Sequence, residues 1–194
     1  VYVMLYEQQF SASELLSSTG WLKAWRAFLK VAPVFAVGVG LFVMMESMNG
    51  PQATYAGGNR WLYAQTQAWI WLHYGKLFVL PIGLTADTDW GLIDHWYDTR
   101  VLAGLAFIAL LVTLMWKATE RPKYRASAFG LAWFILALMP GSSILPFAEV
   151  TNEHRMFFPY IGLTLAVAWA ASQWAQARIA ATPSSRQAWT TGLA

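Results

Sequence analysis

Charge is missing from long stretches of this chain, and that absence decides its solvent. The windows 31–45, 101–116, 126–148 and 156–177 contain no Asp, Glu, Lys or Arg, and their lengths approach the ~20 residues that a helix needs to cross hydrocarbon. Of the 194 residues, 57% are hydrophobic and only 12% are charged, against ~25% charged in a soluble domain. A disordered chain is excluded and the composition weighs against an ordinary soluble enzyme; a bilayer suits it. The absence of cysteine removes disulfides, thiolate metal sites and a cysteine nucleophile. The net charge of +3 comes without any basic run, so nucleic acid is not an expected partner.

The windows predict spans over about 27–47, 100–117, 126–140 and 156–177. Val1–Tyr6 is apolar but stops at Glu7, and it predicts the remnant of a fifth helix that begins upstream, so the chain reads as a piece of a longer protein. The segment Arg60–Ile82 is apolar too, yet His73, Lys76 and the Gln65-Thr66-Gln67 cluster interrupt it. Basic residues collect on the cytoplasmic side of membrane proteins, which arbitrates. If the segment does not cross, Lys23, Arg26, Lys30, Lys117, Arg121, Lys123, Arg125, Arg178 and Arg186 lie inside, and only Arg60, Lys76, Arg100 and Arg155 lie outside. A crossing reverses the bias. A helix over about 60–80 is therefore expected on the outer surface, with Trp61, Trp69 and Trp71 at headgroup level.

The expected architecture is an all-α membrane protein: about four transmembrane helices, the fifth remnant and the outer interfacial helix. A polytopic domain covers 1–178, and 179–194 forms a disordered cytoplasmic tail. The expected location is a bacterial inner membrane, with the loops around 48–99 and 141–155 extracytoplasmic. Pro140-Gly141 closes the third span, while Pro33, Gly38 and Gly40 predict a kink or a close helix contact in the first.

Chemistry concentrates outside. Glu149, Glu153, His154 and Arg155 stand at the mouth of the fourth span. An arginine on the disfavoured side, at a helix N-terminus, suits the phosphate or diphosphate of a lipid carrier; pairing of Arg155 with Glu149 or Glu153 is the plainer alternative. Asp87, Asp89, Asp94, Asp98 and His95 form an acidic segment. The simpler reading of it is a solvated loop, with a divalent cation at Asp87 and Asp89 as the alternative; no other cofactor is called for. P-loop, GxGxxG, HExxH and GxSxG strings are absent, which removes the chemistries they support.

The string Ser142-Ser143, Pro146, Glu149, Glu153-His154-Arg155, Pro159-Tyr160 and Gly162 resembles the later part of the C-type integral-membrane glycosyltransferases, in particular protein O-mannosyltransferase-like proteins that carry tetratricopeptide repeats. Tyr74–Leu84, followed by Asp87 and Asp89, is similar to that family's surface helix and acidic loop; the resemblance runs from about Thr66 to Ala170. It implies transfer of a sugar, often mannose, from a polyprenyl-phosphate carrier to a protein hydroxyl on the extracytoplasmic side. Arg155 and His154 become contacts to the carrier phosphate, and Glu149, Glu153, Asp87 and Asp89 supporting residues. The family's basic carboxylate lies in an earlier loop, so no catalytic residue is expected in this chain. Expected partners are the lipid-linked donor, membrane lipids and other subunits of a membrane complex. The rival readings are a polysaccharide polymerase or ligase, and a noncatalytic membrane scaffold.

Overall fold

The computed structural model describes residues 1–48, 59–84, 90–144, 150, 151 and 153–181. Asp87, Asp89, Glu149 and the tail from 182 onward lie outside the described residues. Every regular element among those described is helical, the long ones being α1 (Ser18–Met48), α2 (Arg60–Val79), α3 (Thr99–Thr119), α4 (Arg125–Met139) and α5 (Phe157–Ala181). Two of them, α1 over Ser18–Met44 and α3, are long and apolar enough to cross a membrane, each with a mean hydropathy of 2.1. In α1 only 6% of the apolar window is buried. Its exposed Val34, Phe35, Val39 and Phe42 call for an apolar environment, because water would charge for that much hydrocarbon.

Local chemistry sets the helix ends. Asn59 Oδ1 accepts from the Trp61 and Leu62 amides at the start of α2. Asp98 does the same for Arg100 at the start of α3, satisfying donors that the first turn leaves open. At the far end of α2, Gly83 takes a φ of 73°, a conformation that costs a glycine little. Pro140 ends α4, and the chain continues as a π-helical turn over Pro140–Ile144. With 15 residues, α4 reaches only about 22 Å at 1.5 Å per residue, and that turn lengthens it.

α4 packs chiefly on α5 and α3, and α3 on α2. The main core joins Ile70, Trp71 and Tyr74 of α2 to Leu111, Phe134, Leu138 and Leu163. Backbones approach closely where a glycine faces the neighbouring helix. A Cβ on Gly130 would lie 2.3 Å from the Gly162 carbonyl oxygen, and one on Gly104 would lie 2.1 Å from that of Ala68. Gly38 and Gly40, by contrast, face nothing within 4 Å. The close helix contact expected in the first span is thus found in α2–α3 and α4–α5.

The partners of α2 lie toward one end of the bundle: Gly104, Phe107 and Leu111 of α3, Phe134 of α4, and Tyr160 near the start of α5. Trp61 is exposed, but Trp71 is buried at 6% exposure and crosses Phe134 edge-on at 6.4 Å. Trp71 is therefore a core residue and not the headgroup anchor expected from the sequence.

The other end is held by the N-terminal segment. Glu120 accepts from the Ser11 hydroxyl at 2.5 Å and from the Ser13 amide at 2.9 Å, and the Ala12 amide donates to Thr119 Oγ1 at 3.0 Å. Glu14 pairs with Lys23 at 2.7 Å, and Glu7 pairs with Lys30. These contacts link α1 to the α3–α4 junction.

Candidate functional site

The three polar residues that interrupt α2 are what assemble the neighbouring loops. Thr66 Oγ1 accepts from the Ile93 amide at 2.9 Å, and Gln65 Nε2 donates to the Ile93 carbonyl. Gln67, 4% exposed, donates through Nε2 to the Val150 carbonyl at 2.9 Å and accepts from Ser142 Oγ at 3.2 Å. Ser142 in turn accepts from Trp71 Nε1 at 2.8 Å. Buried polar groups of this kind are costly unless paired, and here the pairing fastens the Pro140–Ile144 turn and Val150 to α2. Tyr63 adds a bond from its hydroxyl to the Gly141 carbonyl at 2.8 Å.

Between these groups and the start of α5 lies a cleft of about 220 Å³, lined by Tyr63, Gln67, Tyr74, Ser142, Arg155 and Pro159 among others. Arg155 is exposed on its rim, while Met156, at 3% exposure, roots the turn in the core. The turn Glu153–Met156 leads directly into α5, so Arg155 stands where the helix dipole adds positive potential. The arrangement favours an anion: a guanidinium at the rim, further positive potential from the helix and an apolar interior beyond.

Glu153 takes another direction. Its carboxylate lies 3.6 Å from His73 Nε2, with side-chain exposures of 11% and 14%, and the His73 ring meets Trp90 edge-on at 4.7 Å. The Glu-His-Arg string therefore serves two neighbourhoods, the α2 face with His73 and the cleft with Arg155. His154 belongs to the same turn.

The acidic segment also divides. Asp98 is committed to α3: its Oδ1 accepts from the Arg100 amide at 2.8 Å and Nε at 3.0 Å, and its Oδ2 from Nη2 at 2.9 Å. The side-chain bond to Arg100, then the backbone one, hold its pKa down to about 2. His95 stacks on Tyr97 at 5.0 Å. Among the described residues no three His, Asp or Glu side chains gather to hold a metal, while Asp87 and Asp89 fall outside them.

His73, Gln67, Trp71 and Tyr63 were not among the residues singled out as a site. For Tyr63, Gln67 and Trp71 the sequence signal is the spacing 63-67-71-74, which puts them with Tyr74 on one helical face; His73 lies off that face and carries no such signal. The chain matches no protein-family model, no curated protein and no solved structure.

Proposed function

We propose that this chain is part of a membrane glycosyltransferase that moves a sugar from a polyprenyl-phosphate carrier to a protein or glycan acceptor on the extracytoplasmic side of a bacterial inner membrane. One observation carries the reading: Arg155, at the head of α5, lines a cleft beside α2. In the proposal, α1, α3, α4 and α5 cross the membrane, and α2 lies across the outer end with the 141–155 loop above it. The carrier phosphate sits on Arg155, with His154 as a second contact. When the sugar's bond to the carrier breaks, negative charge grows on the departing phosphate; a fixed guanidinium stabilises it without having to reorganise. Glu153 of the same turn lies beside α2, 3.6 Å from His73 Nε2.

The test is sugar transfer from a radiolabelled polyprenyl-phosphate mannose in membranes containing the full-length protein. Arg155→Ala is expected to abolish transfer while the protein remains folded and inserted, and Arg155→Lys to recover only part of it, because lysine cannot make the bidentate contact. Unchanged transfer in Arg155→Ala would remove the residue from the mechanism. A second reading, a noncatalytic scaffold, draws on the bare apolar surface of α1. It predicts no transfer by the wild type and co-purification of another membrane subunit that is lost when α1 is replaced by polyleucine.

A further inference from the structure

At the opposite end of α3 from the Arg155 cleft, a groove of about 620 Å³ opens between α3, α4 and α5. Leu114, Leu131 and Val167 form its apolar walls, and Lys117, Arg121 and Tyr124 stand at its mouth. The groove persists because small side chains line its base: Ser127 Oγ spends its proton on the Ala166 carbonyl at 3.0 Å, leaving a floor with no donor to offer. Lys117 and Arg121 are both exposed, and among the described residues neither forms an ion pair. The one acid lining the groove, Glu120, turns its carboxylate to Ser11 and to both the amide and the hydroxyl of Ser13, and two bases against this one acid leave the mouth net positive. The bases come where the apolar run of α3 ends, which is the headgroup level of a helix that crosses the bilayer.

We propose that this groove binds an anionic phospholipid, with an acyl chain along Leu114, Leu131 and Val167 and the phosphate between Lys117 and Arg121. A soluble anion would need the two cations but not the apolar walls; a zwitterionic lipid would use the walls and bring a phosphate, but would add its own ammonium beside two bases. Charge and hydrocarbon side by side select a lipid of net negative charge. The inference requires only that α3 cross a membrane and is independent of the glycosyltransferase reading.

The test is native mass spectrometry of the purified chain released from micelles containing phosphatidylglycerol or phosphatidylcholine of the same acyl chains. Selective retention of phosphatidylglycerol is expected. Lys117→Gln with Arg121→Gln is expected to weaken retention about 25-fold, at about fivefold per base. Arg26→Gln, which removes a base from α1 without touching the ion pairs of the N-terminal segment, is expected to leave it unchanged. Val167→Trp fills the groove without altering charge and is expected to lower retention as well. Equal retention of the two lipids, equal loss in the α1 variant, full retention in Val167→Trp, or displacement by inorganic phosphate would each overturn the proposal.

Discussion

Replacing Gly130 by alanine strains the closest seam between α4 and α5. The added Cβ would sit 2.3 Å from the Gly162 carbonyl oxygen and 2.8 Å from the Ala166 nitrogen. A relaxed carbon–oxygen contact is about 3.3 Å, so the helices must part by about 1 Å, since a backbone carbonyl cannot swing aside as a side chain can. A gap of that size forfeits roughly a quarter to a half of the dispersion energy of each contact across the seam. It also stretches the 3.0 Å bond from Ser127 Oγ to the Ala166 carbonyl. Overpacking costs about 1–3 kcal/mol, and with backbone on both sides Gly130→Ala is expected near the upper figure.

The same substitution elsewhere supplies the contrast. Gly162→Ala meets the Gly130 carbonyl oxygen at 2.6 Å, so its cost overlaps that of Gly130→Ala; the double variant is expected to lose less than the sum, because one parting makes room for both methyl groups. Gly38→Ala meets nothing within 4 Å and is expected to gain up to about 1 kcal/mol of helix propensity. Reversible unfolding in mixed micelles titrated with SDS, followed by tryptophan fluorescence, measures all of these. A Gly130→Ala protein within about 0.5 kcal/mol of wild type, the range of an ordinary surface change, would refute the seam, as would a Gly38→Ala protein that loses as much as Gly130→Ala.

Gln67→Ala removes both the acceptor of Ser142 Oγ and the donor to the Val150 carbonyl, and stranding such groups costs about 1–3 kcal/mol. Hydrogen exchange at the Ser142 and Thr151 amides is expected to quicken, and unchanged exchange would show that the loop is held by something other than Gln67. The clamp at Glu120 predicts a pH response. Hydrogen bonds from the Ser11 hydroxyl and then the Ser13 amide hold its carboxyl below the ordinary value of 4.5. A depressed carboxyl contributes its stabilisation fully above the unfolded value and loses it as pH falls through the folded one, so docking of the N-terminal segment is constant near neutrality and loosens only below 4.5. A spin label on a cysteine introduced at Ala12 should become mobile in that acid window, and in Glu120→Gln it should be more mobile than in the wild type at neutral pH; equal mobility of the two proteins at neutral pH would remove Glu120 as the clamp.

What could be read along the chain was governed by neighbouring residues, and what could not was governed by residues brought together from afar. Asn59, Asp98 and Pro140 act on backbone groups within a few positions, so helix ends are local chemistry; the all-helical, apolar character follows from the charge-free windows in the same way. Partner choice is different. Gly38 and Gly130 are the same residue in comparably apolar helices, yet one faces open space and the other a carbonyl oxygen. Trp69 and Trp71 have equal claim to a headgroup belt until Phe134 and Ser142 are placed beside Trp71. The Gln65-Thr66-Gln67 cluster interrupts the apolar run, but its partners, Ile93, Ser142 and Val150, appear only once two loops are folded onto α2.

The Glu-His-Arg string is the sharpest instance. Its turn is a 3-10 helix, with three residues per turn, so positions 153 and 155 leave the axis about 120° apart. Glu153 therefore reaches His73 of α2 while Arg155 lines the cleft, although the sequence places them in one cluster. One turn thus sends one side chain toward α2 and another toward the cleft, a division that the order of residues 153–155 alone does not show.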